Sequence, residues 1–206
     1  MKQPRIVPNL WFDTEAEEAA KFYVSVFKNS RLISHTRYTE GSPREAGMVM
    51  TVEFELDGQR FVGINCGPQF KFDEAVSFQI NCKDQDEVDY YWERLTGDGG
   101  EEGPCGWCKD RFGLSWQVVP MGMDVILSDP DSERARRAME AMLQMKKLDI
   151  AALERAAAAG DEDDAEPDDA EAVEESGEPE QEPATAEGDD EGEPTEAEGD
   201  EEKAPA

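Results

Sequence analysis

Thr14-Glu15-Ala16-Glu17-Glu18-Ala19-Ala20-Lys21-Phe22-Tyr23-Val24-Ser25-Val26-Phe27 is the stretch on which the fold turns. Thr14 followed three residues later by Glu17 has the form of a capping box. In that motif each side chain satisfies an amide that the start of a helix leaves without a partner. Behind it, Ala19, Phe22, Tyr23, Val26 and Phe27 recur at the spacing of one buried helix face. A second helix of this kind follows. Asp84 and Glu87 cap it, and its stripe of Val88, Tyr91, Trp92 and Leu95 begins 69 residues after Ala19.

Strand signals surround each helix in the same order. Before the first helix lies Ile6 to Phe12. After it come Arg31 to Thr39, Met48 to Leu56 and Gln59 to Asn65. Met48, Met50, Val52, Phe54 and Leu56 alternate with Thr51, Glu53 and Glu55, and Asp57-Gly58 is a two-residue hairpin turn. Around the second helix, Val76 to Cys82 precedes it. Short strands near 101–103, 106–109 and 114–119 follow it, with Asp110-Arg111-Phe112-Gly113 as a turn. A long period with a repeated element order indicates a duplicated module. The reading is an α+β fold of two paired β-α-β-β-β modules, about 4–66 and 75–120, forming a curved half-barrel sheet within a domain spanning 1–122. Two split α/β units without a shared site are the alternative. Amphipathic C-terminal helices are expected over 123–160, opened by Pro130-Ser132 and by Asp149, docking on the domain or on a second subunit.

The charge of −30 describes the tail more than the domain. Residues 161–206 hold 23 acids against one lysine and no aromatic residue, so they cannot bury enough apolar surface to offset chain entropy, and disorder is expected. The two Ala-Glu-Gly-Asp strings of the tail look like low-complexity expansion. Neither part offers a basic patch for phosphates, so nucleic acid is not an expected partner. No apolar run is long enough to span a bilayer, and no apolar leader core follows Met1-Lys2-Gln3-Pro4-Arg5. A cytoplasmic chain with four reduced cysteines is expected, with no membrane partner.

Several strings narrow the reading. They are Pro8-Asn9-Leu10-Trp11-Phe12-Asp13, Glu17-Glu18-Ala19 with Phe22-Tyr23, Gly67-Pro68-Gln69-Phe70, and Cys105-Gly106-Trp107 with Asp110 to Pro120. Together they resemble the PhnB-like branch of the vicinal-oxygen-chelate (glyoxalase/bleomycin-resistance/dioxygenase) superfamily, whose domain often carries the label 3-demethylubiquinone-9 3-methyltransferase. The resemblance covers roughly residues 4 to 155. In metal-dependent members it implies one ligand from the first strand and one from the last strand of each module. Here those places hold Pro8 or Asn9, Asn65, Ser77 and Trp116. None is a good ligand for a divalent cation, so no metal and no cofactor are expected. No Gly-x-Gly-x-x-Gly run supports the methyltransferase label literally.

Alternation places Asn9 and Trp11 on one face of the first strand, with Ser77, Gln79 and Asn81 on the equivalent face of the fifth. Asn65 and Trp116 are expected to join them in a cleft of amides and indoles suited to a small, partly aromatic ligand. The bland reading makes them satisfied core polars and packing rings. His35, the sole histidine, lies in a strand with no evident partner and reads as structural. Cys105-Gly106-Trp107-Cys108 has dithiol spacing but sits among turns, so a structural turn stands beside a redox or metal role. Two functions are open: a homodimeric protein that binds or sequesters a small molecule, and a superfamily enzyme (lyase, isomerase or dioxygenase type) acting on a small carbonyl or aromatic metabolite.

Overall fold

A computed structural model of the chain describes residues 4–159, which belong to one compact unit. The expected tail, 161–206, lies outside the described residues. The first module runs β1 (Asn9–Phe12), α1 (Ala16–Val26), β2 (Arg31–Arg37), β3 (Val49–Leu56) and β4 (Gln59–Asn65). The second runs β5 (Ser77–Cys82), α2 (Gln85–Thr96), β6 (Glu101–Glu102), β7 (Trp107–Lys109) and β8 (Ser115–Pro120). Each module forms a four-stranded mixed sheet with the same internal order: β1-β4-β3-β2 and β5-β8-β7-β6. The first strand of each lies parallel to the last, and neither sheet closes into a barrel. The α+β class and the duplicated order stand.

The β3–β4 hairpin turns on Asp57 and Gly58, both at positive φ, which matches the twist of the flanking strands. Asp84 caps α2 by accepting from the Glu87 amide, as its position predicts. The capping box at Thr14 does not form. Helix α1 starts one residue later than a Thr14 cap requires and has no side-chain cap at Glu15; its first amide, that of Ala16, donates to Asn65 Oδ1 at 2.9 Å. A side chain from the far end of the module thus meets one of the amides that the helix start leaves open.

The helix-covered faces of the two modules meet in one core. Tyr23, Phe54, Val88 and Leu95 are completely buried there. Each such side chain contributes roughly 1.5–3 kcal/mol through its removal from water. Phe61 meets Phe78 edge-on at 5.1 Å, and Phe27 lies 5.2 Å from Trp116, so rings cross the seam between modules. Tyr90 reaches across as well, its hydroxyl donating to the Val26 carbonyl at 2.8 Å.

After β8 come α3 (Met123–Leu127), α4 (Ser132–Leu143) and α5 (Ile150–Ala158). Asp131 and Asp149 cap the last two. Met123, Leu148 and Leu153 form a second small core. This segment docks on its own domain. Gln85 holds the Leu148 carbonyl and the Ile150 amide, while the Cys105 and Gly106 amides donate to Met145 and Lys146. Among the described residues no helix is long and apolar enough to cross a membrane.

Candidate functional site

The parallel registers decide which residues share a face. Asn9 pairs with Val62 and Trp11 with Ile64, on the face turned away from the helices. Phe12 pairs with Asn65, which therefore points into the core. Asn65 is 1% exposed and fully engaged: its Oδ1 accepts from Ala16, and its Nδ2 donates to the Val49 carbonyl at 3.0 Å. Trp116 pairs with Phe78 and is likewise buried, its Nε1 donating to Asp110 Oδ2 at 2.8 Å. The expectation that Asn65 and Trp116 join Asn9, Trp11, Ser77 and Gln79 on one face is corrected by these registers. A one-residue change in pairing moves a side chain to the opposite face.

The remaining four sit on the outer faces of two different sheets. On the first, Asn9 is exposed and its amide donates to the Val7 carbonyl, while the Trp11 indole donates to the Gly67 carbonyl at 2.7 Å. On the second, Gln117 donates to Ser77 at 2.8 Å and Gln79 to Asn81 at 2.7 Å. The amides there satisfy one another along the sheet. Of the six candidates, Trp11 alone lines the larger groove of the molecule's described residues.

That groove, about 750 Å³, opens along the seam between the modules. Four short segments build it: the end of β1 with Asp13 and Glu15, the loop 68–72, the turn at Asp98-Gly99, and the turn 110–113. Its walls carry the rings of Trp11, Phe70, Phe72 and Phe112. Phe70 stands edge-on to Trp11 at 4.9 Å and is 65% exposed. Arg111 lies over the Phe22 and Phe112 rings, 4.8 and 5.0 Å from their centroids, and pairs with Glu18 at 3.0 Å. A second groove of about 400 Å³ crosses the outer face of the second sheet beside Pro104, Trp107 and Ser115, and shares Glu101 and Lys109 with the first.

Asp110 was absent from the sequence-based candidates, and it is the most constrained polar group near the seam. Its carboxylate accepts four hydrogen bonds. The Tyr23 hydroxyl and the Trp116 indole reach Oδ2, each at 2.8 Å; the Phe112 and Leu114 amides reach Oδ1 at 2.8 and 3.1 Å. Burial pushes the carboxyl above the ordinary carboxylate range against the pull of these donors, and the same burial pushes the Tyr23 phenol up. The Asp-x-x-Gly turn was legible in sequence. The Tyr23 partner, 87 residues away, was not.

Burial also raises the Cys108 thiol to about 12, and it holds the Cys82 thiol at about 12. A thiol so hard to ionise is a poor nucleophile and metal ligand. His35 is exposed on β2. The residues at the superfamily's ligand places do not fit a divalent ion: Asn65 and Trp116 face the core with their polar atoms engaged, and Asn9 and Ser77 are neutral groups on separate sheets. Among the described residues no group of three His, Cys, Asp or Glu side chains is placed to hold a metal.

The model of the 3-demethylubiquinone-9 3-methyltransferase family matches residues 4–119. A PhnB protein from Bacillus cereus is 32% identical; the match covers 57% of this chain and 99% of that one, with a TM-score of 0.51. A protein from Pseudomonas aeruginosa is 20% identical over 57% of this chain and 98% of its own, with a TM-score of 0.48. A fosfomycin resistance protein from Listeria monocytogenes is 14% identical over 58% and 94%, with a TM-score of 0.40. No curated protein matches the chain significantly. With two β-α-β-β-β modules and a family match spanning both of them, the chain belongs to the 3-demethylubiquinone-9 3-methyltransferase family, the PhnB-like branch of the vicinal-oxygen-chelate superfamily.

Proposed function

We propose that this chain is a small-molecule-binding protein that holds a partly aromatic ligand in the groove between its modules. The observation that carries the reading is the groove itself. At about 750 Å³ it lies within the range of roughly 300–1,000 Å³ usual for such sites, and one exposed ring, Phe70, and the half-buried rings of Trp11, Phe72 and Phe112 line it. Its one deeply buried acid, Asp110, spends both oxygens on structural donors, which leaves it little scope as a general base. The strand-to-helix connections Asp13-Thr14-Glu15 and Lys83-Asp84 contain no glycine, so neither supplies the loop that methyl transfer from a nucleotide-like donor needs. The family label thus describes ancestry here.

The proposed binding unit is 1–122 with the helices of 123–160 packed on it. A homodimer belongs to the same proposal. The outer face of the first sheet keeps Val62 and Ile64 only partly covered, a surface that a second copy can bury. Light scattering that gives the mass of one chain overturns the dimer. Binding is tested by a thermal-shift screen of aromatic metabolites on the full chain. Ligands of the native state raise Tm by mass action. The expected hit shifts the wild type and fails to shift Phe70→Ala, which alters an exposed ring of the groove. Hits that shift both proteins equally overturn the groove assignment.

A further inference from the structure

Resting on that reading of the groove, we infer that its ligand is an organic cation: an aromatic ring bearing a protonated amine. The first ground is charge. The groove contains three cations, and two are already held, Lys109 by Glu74 and Arg111 by Glu18. Lys71 has no salt bridge among the described residues. Against it stand Asp98, which has no ion pair among the described residues, and Glu101, which faces Lys109 across the β6–β7 pair at longer range than Glu74 does. The lining as a whole carries six carboxylates, Asp13, Glu15, Glu18, Asp98, Glu101 and Asp110, against those three cations, so a charge of positive sign is the one the groove lacks.

The second ground is independent of charge counting. The groove already contains one cation bound to rings. Arg111 lies over Phe112 and Phe22 while its charge is answered by Glu18. That contact pairs the positive guanidinium with the negative face of a ring, with a carboxylate beside it. The groove's lining holds further rings and further carboxylates. Trp11 and Phe70 present an indole and a 65%-exposed phenyl ring, and Asp98 and Glu101 supply the carboxylates. A ring-bearing ammonium satisfies both halves: its body packs on Trp11 and Phe70, and its charge meets the carboxylates.

The test is isothermal titration of the full chain at pH 7 with three probes of similar shape: 2-phenylethylammonium, 2-phenylethanol and 3-phenylpropanoate. The cation is expected to bind at least tenfold more tightly than either of the others. The double variant D98N/E101Q is expected to abolish that preference. Both positions are exposed, and Asn tolerates the positive φ of Asp98, so the variant leaves the core untouched. Phe70→Ala is expected to weaken all three probes. Equal binding of the three, or a preference for the anion, with sensitivity to Phe70→Ala retained, overturns the cation and leaves the groove standing. A preference for the cation that survives D98N/E101Q also overturns the inference. Absence of binding by every probe, or binding indifferent to Phe70→Ala, overturns both the cation and the groove.

Discussion

Asp110→Asn removes one charge and changes the identity of one atom, and the cost follows from the geometry. An amide has one acceptor oxygen. If it keeps the Phe112 and Leu114 amides, its NH2 faces the Tyr23 hydroxyl and the Trp116 indole. The hydroxyl can rotate and accept. The indole N–H cannot, and Trp116 is 3% exposed, so a buried donor is left unmatched. That costs about 1–3 kcal/mol, and each retained bond loses the extra roughly 1 kcal/mol that a charged acceptor provides. Relief from burying a charge offsets part of this. A net loss of about 3 kcal/mol is expected, a fall in Tm of roughly 6–12 °C for a domain of this size. The pH dependence has a defined sign. Because the folded carboxyl ionises above the ordinary range, the unfolded chain loses its proton first, and stability falls as pH rises through that window. The cost of Asp110→Asn is therefore larger at pH 4 than at pH 7. Urea unfolding at the two pH values measures it. A variant within about 0.5 kcal/mol of the wild type, inside the usual scatter of neutral surface changes, refutes the view that Asp110 ties the modules together. A loss that grows with pH refutes the account of its ionisation.

Asn65→Ala strips the Ala16 amide and the Val49 carbonyl of their buried partner at once, and should destabilise the chain by about 2–4 kcal/mol in denaturant unfolding. Alkylation of the native protein by iodoacetamide, read by peptide mass spectrometry, should reach the half-buried Cys66 and Cys105 well before Cys82 and Cys108, whose thiols are buried and pushed up to about 12.

Much of the fold was legible in the chain because it follows from local periodicity. The stripe of Ala19, Tyr23 and Val26 and that of Val88, Trp92 and Leu95 each define a buried helix face, and Asp57-Gly58 forms the expected hairpin turn. Asp84 and Asp149 cap the helices they precede. These features depend on neighbours within a turn or two. Trp116 could have been placed correctly as well, since Trp116 and Val118 alternate with Gln117 as a core face alternates with an outer one.

Three decisions belonged to tertiary structure. In β4, Val62 and Ile64 are as apolar as Phe61, so alternation alone does not say which side is buried; the parallel register with β1 turns Phe61, Gly63 and Asn65 inward. Once inside, Asn65 accepts from the first amide of α1, a donor that the start of a helix leaves open and that burial requires to be paired. The turn acid Asp110 became the link between modules only when Tyr23 and Trp116 closed over it. Sequence determines the period and the hydrogen-bonding capacity of each residue. Which distant group meets that capacity is set by strand register and by how the two modules enclose one another.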